Sequence, residues 1–374
     1  MHHLLGALLT PLLPFIRDEF ILDYTQAGWL LSAYSWSYGV SQIPAGYLTE
    51  KIGLRLIMTI GISGVAVVGV IIGVSPSYYM IAAFLVLLGL LGGGYHPASA
   101  PLVSELAVPE KRGMVLGIHQ VGGTCSFFLT PLIAVAIAGY FGWRGSFIGL
   151  ALITFVFGIV FYILLRRWKP DPKYERAGPE SHEVTPPPQN NTRRLIAFLL
   201  LGITSYATIL SVVSFIPLFA VDSLKVSEEA GAAMLAVVHF AGLLAGPLGG
   251  YFSDRFGMAR VMLITVLIGG PLLYLLPLAS YGWPVYLLSF AVGMSMYTTM
   301  PIVESYIIGD VPEKQRPKFL GFYYFGSRGG GGALTPLIGY LIDRFGFGTS
   351  FAVTGAFLVV VTLACIGLLW RSRK

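Results

Sequence analysis

The sequence predicts an all-α membrane protein: twelve transmembrane helices in two pseudo-symmetric six-helix bundles. Three observations lead there. Hydrophobic residues make up 55% of the 374 and charged residues 11%, against about 25% charged in a soluble domain. Apolar runs long enough to cross a bilayer recur along the chain between turn signals. A block at the end of the second run returns about 204 residues later.

Windows of about 20 apolar residues, the length that crosses a hydrocarbon core, fall at 2–16, 27–48, 55–74, 78–104, 113–139, 145–166, 194–220, 229–252, 260–279, 283–309, 319–342 and 349–370. The first is short. Its roughly 15 residues rise only ~22 Å, so it is expected to begin upstream of Met1. The second ends in GYLTEKIGLR, Gly46 to Arg55, a basic turn before the third. Pro76 precedes the fourth and VPEKRG from Val108 closes it; GWR at Gly142 to Arg144 divides the fifth from the sixth.

The long polar stretch that follows carries PPPQNN at Pro186 to Asn191 and has the composition of a flexible linker. The expected organisation is therefore an N-terminal bundle at 1–167, a cytoplasmic linker at 168–193 and a C-terminal bundle at 194–374. In the second bundle the eighth span ends in GYFSDRFGMAR, Gly250 to Arg260. YGWP at Tyr281 to Pro284 precedes the tenth, and VPEKQRP from Val311 follows it.

The two halves repeat in parallel. Gly46, Glu50, Lys51, Gly53 and Arg55 are answered by Gly250, Asp254, Arg255, Gly257 and Arg260; LTPLI recurs at Leu129 and Leu334; VPEK recurs at Val108 and Val311; and GYFGWRGSF at Gly139 parallels DRFGFGTSF at Asp343. Parallel repeats about an axis along the membrane normal, with a site near the midplane between them, are the arrangement of alternating-access carriers. Nineteen of the 24 Lys and Arg fall in loops on one side if the chain starts in the cytoplasm. The positive-inside rule then predicts two cytoplasmic termini. The net charge of +6 is explained by topology and anionic lipid headgroups and calls for no nucleic acid.

These motifs resemble the major facilitator superfamily over nearly the whole chain. Gly46, Leu48, Lys51, Gly53 and Arg55 fit the family's signature after the second helix, with Glu50 in place of its usual Asp, which Asp254 keeps in the second copy. GGGYHPASAPLVS at Gly92, RGMVLGIHQVGG at Arg112 and GWRGSF at Gly142 resemble the fosmidomycin-resistance-type exporter branch. Gly122, Gly123 and Pro131 are not spaced as the proline–glycine antiporter signature. The resemblance implies the major facilitator fold and secondary transport, with the repeated block as a gate. A carboxylate there can face a helix N-terminus and make contacts that break when the halves rock; a plain topogenic turn is the structural alternative.

Ionisable residues inside the membrane are costly unless they face a cavity or a partner. Glu304 lies about five residues, ~7 Å, from the inner end of the tenth span, and Arg328 about nine residues, ~13 Å, inside the eleventh. They are placed either to pair with each other, docking two helices, or to serve substrate and proton, with Arg328 holding an anionic group. His96, before Pro97, and His119 and His239 in the fifth and eighth spans are candidate proton carriers, since imidazole exchanges protons near neutral pH; hydrogen bonding within a helix interface is the alternative. Runs of glycine at Gly92, Gly122 and Gly329 are expected mainly to pack helices closely.

The function expected is secondary active transport of small organic solutes by alternating access, as proton-coupled efflux from a monomer. Symport or uniport of organic anions, and a non-transporting receptor or scaffold, are the alternatives. No GxxxxGK[ST] stretch supports nucleotide-driven transport. Neither a catalytic site nor a cofactor is expected, and the histidines lack metal-ligand spacing. Cys125 and Cys365, both in apolar runs, imply no disulfide framework.

Overall fold

The computed structural model describes residues 1–95, 98–99, 102–103, 112–167, 192–312 and 315–371. His96, the VPEK segment at Val108 and all but the last two residues of the 168–193 linker lie outside the described residues.

Helices account for nearly all of what is described, because backbone in lipid must satisfy its own polar groups. The first predicted span is built from α1 (His2–Gly6) and α2 (Leu9–Phe20), the second from α3 (Tyr24–Ile52), and the third from α4 (Leu54–Thr59) and α5 (Val65–Gly73), joined by a π-helical turn at Ile60–Gly64. The fourth opens with α6 (Tyr78–Gly92), whose Ser77 side chain caps the N-H of Met80. The fifth and sixth form α7 (Arg112–Arg167), folded back at Gly142. In the second half α8 (Thr192–Val213) and α9 (Ile216–Asp222) make the seventh span, and α10 (Glu228–Phe256) the eighth. Then come α11 (Met258–Leu275), α12 (Trp283–Asp310) and α13 (Arg316–Arg371), the last folded back at Gly346 around the eleventh and twelfth spans.

The repeat seen in the sequence extends to individual dihedral angles. Gly53 and Gly257 end α3 and α10 at φ +86° and +88°, and Gly142 and Gly346 fold α7 and α13 at φ +68° and +74°. Each pair is about 204 residues apart. With ψ between 134° and 172°, these positions fall in or near a region populated almost only by glycine. The folds at Gly142 and Gly346 are followed by buried aromatics at equivalent places, Phe147 and Phe351. Ser146 donates to the Ala134 carbonyl across the first fold at 2.7 Å, which locks the two limbs of α7 together.

One large apolar core runs through both halves, from Leu5, Leu12 and Ile16 to Phe215, Phe219 and Phe351. The halves approach most closely where α3 meets the first limb of α13. A Cβ on Gly28 would lie 2.7 Å from the Thr335 carbonyl oxygen, and one on Gly332 would lie 2.9 Å from the Trp36 backbone nitrogen. Small residues at helix contacts give this approach in membranes, where dispersion rather than water exclusion joins helices.

Gly53→Ala and Gly257→Ala are expected to destabilise the protein by about 1 to 3 kcal/mol each, through backbone strain alone. Gly250→Ala, within α10 and with open space at the Cβ position, is expected to cost nothing. Thermal unfolding in detergent separates the two cases.

Candidate functional site

A cavity of about 60 Å³ lies between the halves. The first half lines it with Thr10, Tyr34 and Phe127, and the second with Tyr206, His239, Tyr297 and Arg328. Arg328 is placed there by the long first limb of α13. Its guanidinium carbon sits 5.5 Å from the ring centroids of both Phe127 and Tyr206, at cation–π distance. Among the described residues the salt bridges join Arg17 to Asp18 and Asp222 and Arg144 to Glu19; no carboxylate pairs with Arg328. His239 Nδ1 and the Tyr297 hydroxyl share a hydrogen bond of 2.7 Å, and the His239 ring lies 5.6 Å from Phe127. The wall therefore offers one fixed cation, neutral hydrogen-bonding groups and aromatic faces. Its chemical complement is an anionic group on an apolar body.

Glu304 does not pair with Arg328. Its Oε1 accepts from the Tyr324 hydroxyl at 2.8 Å, and Tyr324 stands one helical turn before Arg328 on α13. Of the two placements open in the sequence, the pairing required two helices to bring the charges together, and the phenol, four residues closer to the N-terminal end of its helix, intercepts the carboxylate.

The first half gathers imidazoles that sequence reasoning only partly found. His2 donates through Nδ1 to the Gly61 carbonyl at 2.8 Å, inside the π-helical turn. Its ring stacks on Tyr95 at 4.4 Å, and Tyr95 stacks in turn against His119 at 6.0 Å. His3 meets Phe127 at 5.2 Å, so one phenyl ring touches both this cluster and the central cavity. The default suspicion attached to intramembrane ionisable residues applied equally to His2 and His3 and would have found them. Tyr34, Tyr206 and Tyr297 add phenol rings to the cavity wall, whereas Trp36 is 47% exposed.

At the end of the bundle holding residues 17–25, polar contacts cross between the halves. Asp343, at the end of the first limb of α13, accepts from the backbone N-H groups of Tyr24 and Thr25 at 2.9 Å each and from the Thr25 hydroxyl at 2.5 Å. It thus caps α3, a helix of the other half, at the end where the helix dipole is positive. Arg17 pairs with Asp222, which also accepts from the Tyr24 hydroxyl at 2.8 Å. Within the first half, Glu19 accepts from Arg144 and from the Trp143 ring N-H, each at 2.6 Å.

The repeated block occupies the opposite end. Lys51, Arg55, Asp254 and Arg255 are exposed there, and Arg255 donates to Tyr251 of its own helix at 3.0 Å. Gly46 and Glu50 lie in the last turns of α3.

Two related six-helix units with a cavity lined from both halves have the architecture of polytopic membrane transporters. The sequence matches the family described as Major Facilitator Superfamily over residues 1–244 and 198–374, and the chain belongs to that family. It is 26% identical over 362 residues to the multidrug resistance protein MdtG of Proteus mirabilis (strain HI4320), covering 94% of this chain and 88% of the relative. It is 23% identical to the fosmidomycin resistance protein of Escherichia coli (strain K12), covering 76% and 70%. The fold matches a bacterial homolog of the human lysosomal transporter Spinster in an inward-facing and occupied conformation, with TM-score 0.76, 16% identity and 98% and 93% coverage. It also matches a peptide transporter, POT, in complex with sulfate, with TM-score 0.79, 14% identity and 99% and 92% coverage.

Asp343→Ala removes the acceptor shared by Tyr24 and Thr25 and is expected to cost about 1 to 2 kcal/mol, the usual loss of a helix cap. Arg344→Ala, an exposed neighbour lying over the Tyr340 ring, is expected to leave the thermal midpoint unchanged.

Proposed function

We propose that the protein is a secondary active carrier that exports small organic solutes by alternating access, coupled to protons. The observation that carries this reading is Arg328: a half-buried guanidinium with no carboxylate partner among the described residues, in a cavity whose wall comes from both halves. An intramembrane charge left without a counter-ion is costly unless a ligand supplies one. The names of the two relatives, a multidrug and a fosmidomycin resistance protein, support export. The same guanidinium favours organic anions among the solutes, and anion symport or uniport is the second reading.

Glu304, His119 and His239, with His96 beside Tyr95 in sequence, are the groups assigned to proton coupling. The basic end faces the cytoplasm, with both termini and the 168–193 linker, because Lys and Arg resist translocation. On that orientation the clasp at Asp343 and Asp222 closes the outer face. Gly46, Glu50, Lys51, Gly53 and Arg55, with Gly250, Asp254, Arg255 and Gly257, gate the inner one. The carrier works as a monomer.

Proteoliposomes with an imposed pH gradient test the site. Arg328→Ala is expected to raise the KM for anionic solutes by about tenfold or more, the worth of a charge-assisted hydrogen bond, and to spare neutral ones. Glu304→Gln is expected to abolish gradient-driven accumulation while solute exchange persists. Unchanged KM in the first variant and an unchanged pH response in the second would refute the assignments.

Asp254→Asn tests the gate. A single cysteine introduced into the cavity wall of an otherwise cysteine-free chain is expected to change its labelling ratio between the two faces in this variant. An unchanged ratio would leave the block a turn and nothing more.

A further inference from the structure

Inside the second half, α10 and α12 meet along small residues. A Cβ on Gly293 of α12 would run into the Val238 carbonyl of α10. One turn further along α12, the ring of Tyr297 lies against Gly242, its Cδ2 2.9 Å from where a Cβ would stand. Gly242 follows His239 by one turn on α10. The absent side chain lets the phenol reach back to the imidazole, whose Nδ1 it meets at 2.7 Å. Gly246, the next glycine along α10, has open space at its Cβ position, so only Gly242 of the two seats the ring.

This hydrogen bond decides what His239 shows to the central cavity. A phenol O-H donates better than an imidazole N-H, and an imidazole nitrogen accepts better than a phenol oxygen, so Tyr297 donates and the ring proton sits on Nε2. With Nδ1 engaged, Nε2 is the ring nitrogen left for the cavity that His239 lines. The imidazole and the Arg328 guanidinium border the same ring: Phe127 lies 5.6 Å from the first and 5.5 Å from the second. A guanidinium and an N-H donor on one stretch of wall hold an anionic group more tightly than the guanidinium alone.

We propose that Tyr297, seated on Gly242, is a positioning residue that fixes His239 as a second donor to the anionic group held by Arg328. The inference rests on the reading of Arg328 as the partner of an anionic solute. It adds a binding role for His239 to the proton coupling assigned to it above.

The test is equilibrium binding of radiolabelled phenylacetate, and of its neutral amide phenylacetamide, to the full chain in detergent with no pH gradient. Wild type is expected to prefer the anion and Arg328→Ala to lose that preference; a wild type without it sinks the reading of Arg328 and this inference together. Tyr297→Phe and Gly242→Ala are each expected to weaken phenylacetate binding about fivefold, the effect of one hydrogen bond, and to leave phenylacetamide unchanged. Gly246→Ala is expected to change neither. If Gly242→Ala lowers the thermal midpoint, Tyr297→Phe, which removes only a hydroxyl, decides. Two variants of His239 tell a donor from a strut. The Gln amide reaches the place of Nε2 and is expected to keep most of the affinity for phenylacetate; the Asn amide reaches only the place of Nδ1 and is expected to lose about fivefold. His239→Asn binding like wild type while His239→Gln fails would overturn the proposal. So would unchanged phenylacetate binding in Tyr297→Phe when Arg328→Ala has lost it, an outcome that leaves the reading of Arg328 standing.

Discussion

The carboxylate of Asp343 belongs to one half of the molecule and caps a helix of the other. Three hydrogen bonds converge on it from Tyr24 and Thr25, and below it Gly28 and Gly332 bring two backbones into contact. These features depend on one another. Helices can touch along their backbones only if their ends are held in register, and a cap made by the partner helix holds them there. The central cavity lies behind this contact, so its shape follows from how tightly α3 and α13 are closed. The Arg17–Asp222 pair and the Tyr24 hydroxyl extend the same closure to α9.

The electrostatics of the interior differ between the halves. The second half contributes Arg328 and a carboxylate that is engaged elsewhere, by Tyr324. The first half contributes imidazoles and phenols packed ring to ring, with Phe127 as the shared wall. Because Tyr324 of α13 holds the carboxylate of α12, Arg328 faces the cavity without that anion, while cation–π contacts with Phe127 and Tyr206 meet part of the cost. The neighbouring imidazole of His239 is held by a phenol rather than an acid, so the groups around the cation are neutral acceptors and donors.

Much of the fold was legible in the sequence because a bilayer imposes a length and an apolar composition on every span, and the duplication doubled the evidence. The boundaries that moved did so for local reasons. The second span runs from Tyr24 to Ile52 because Asp343 supplies its cap, and the third contains a π-helical turn at Gly61 that no periodicity announces. Arg328 stood out in the sequence as a lone arginine inside an apolar run, and it lines the central cavity. The partner of Glu304 did not stand out, since a tyrosine among 20 carries no mark of its own. The clasp was hidden as well: Asp343 and Thr25 are 318 residues apart, and in sequence both read as ordinary turn residues. What one residue does alone was visible; what two residues do across a helix interface was not.

The folds at Gly142 and Gly346 carry a mechanical consequence. Each joins two membrane-crossing limbs through one residue in a glycine-only conformation, and Ser146 stitches the first pair across its fold. A connection with no spare chain has no slack, so the paired limbs must travel as stiff hairpins. Any rearrangement of the bundle has to be taken up at other joints, of which the broken helix pairs α1–α2 and α8–α9 are the nearest at hand.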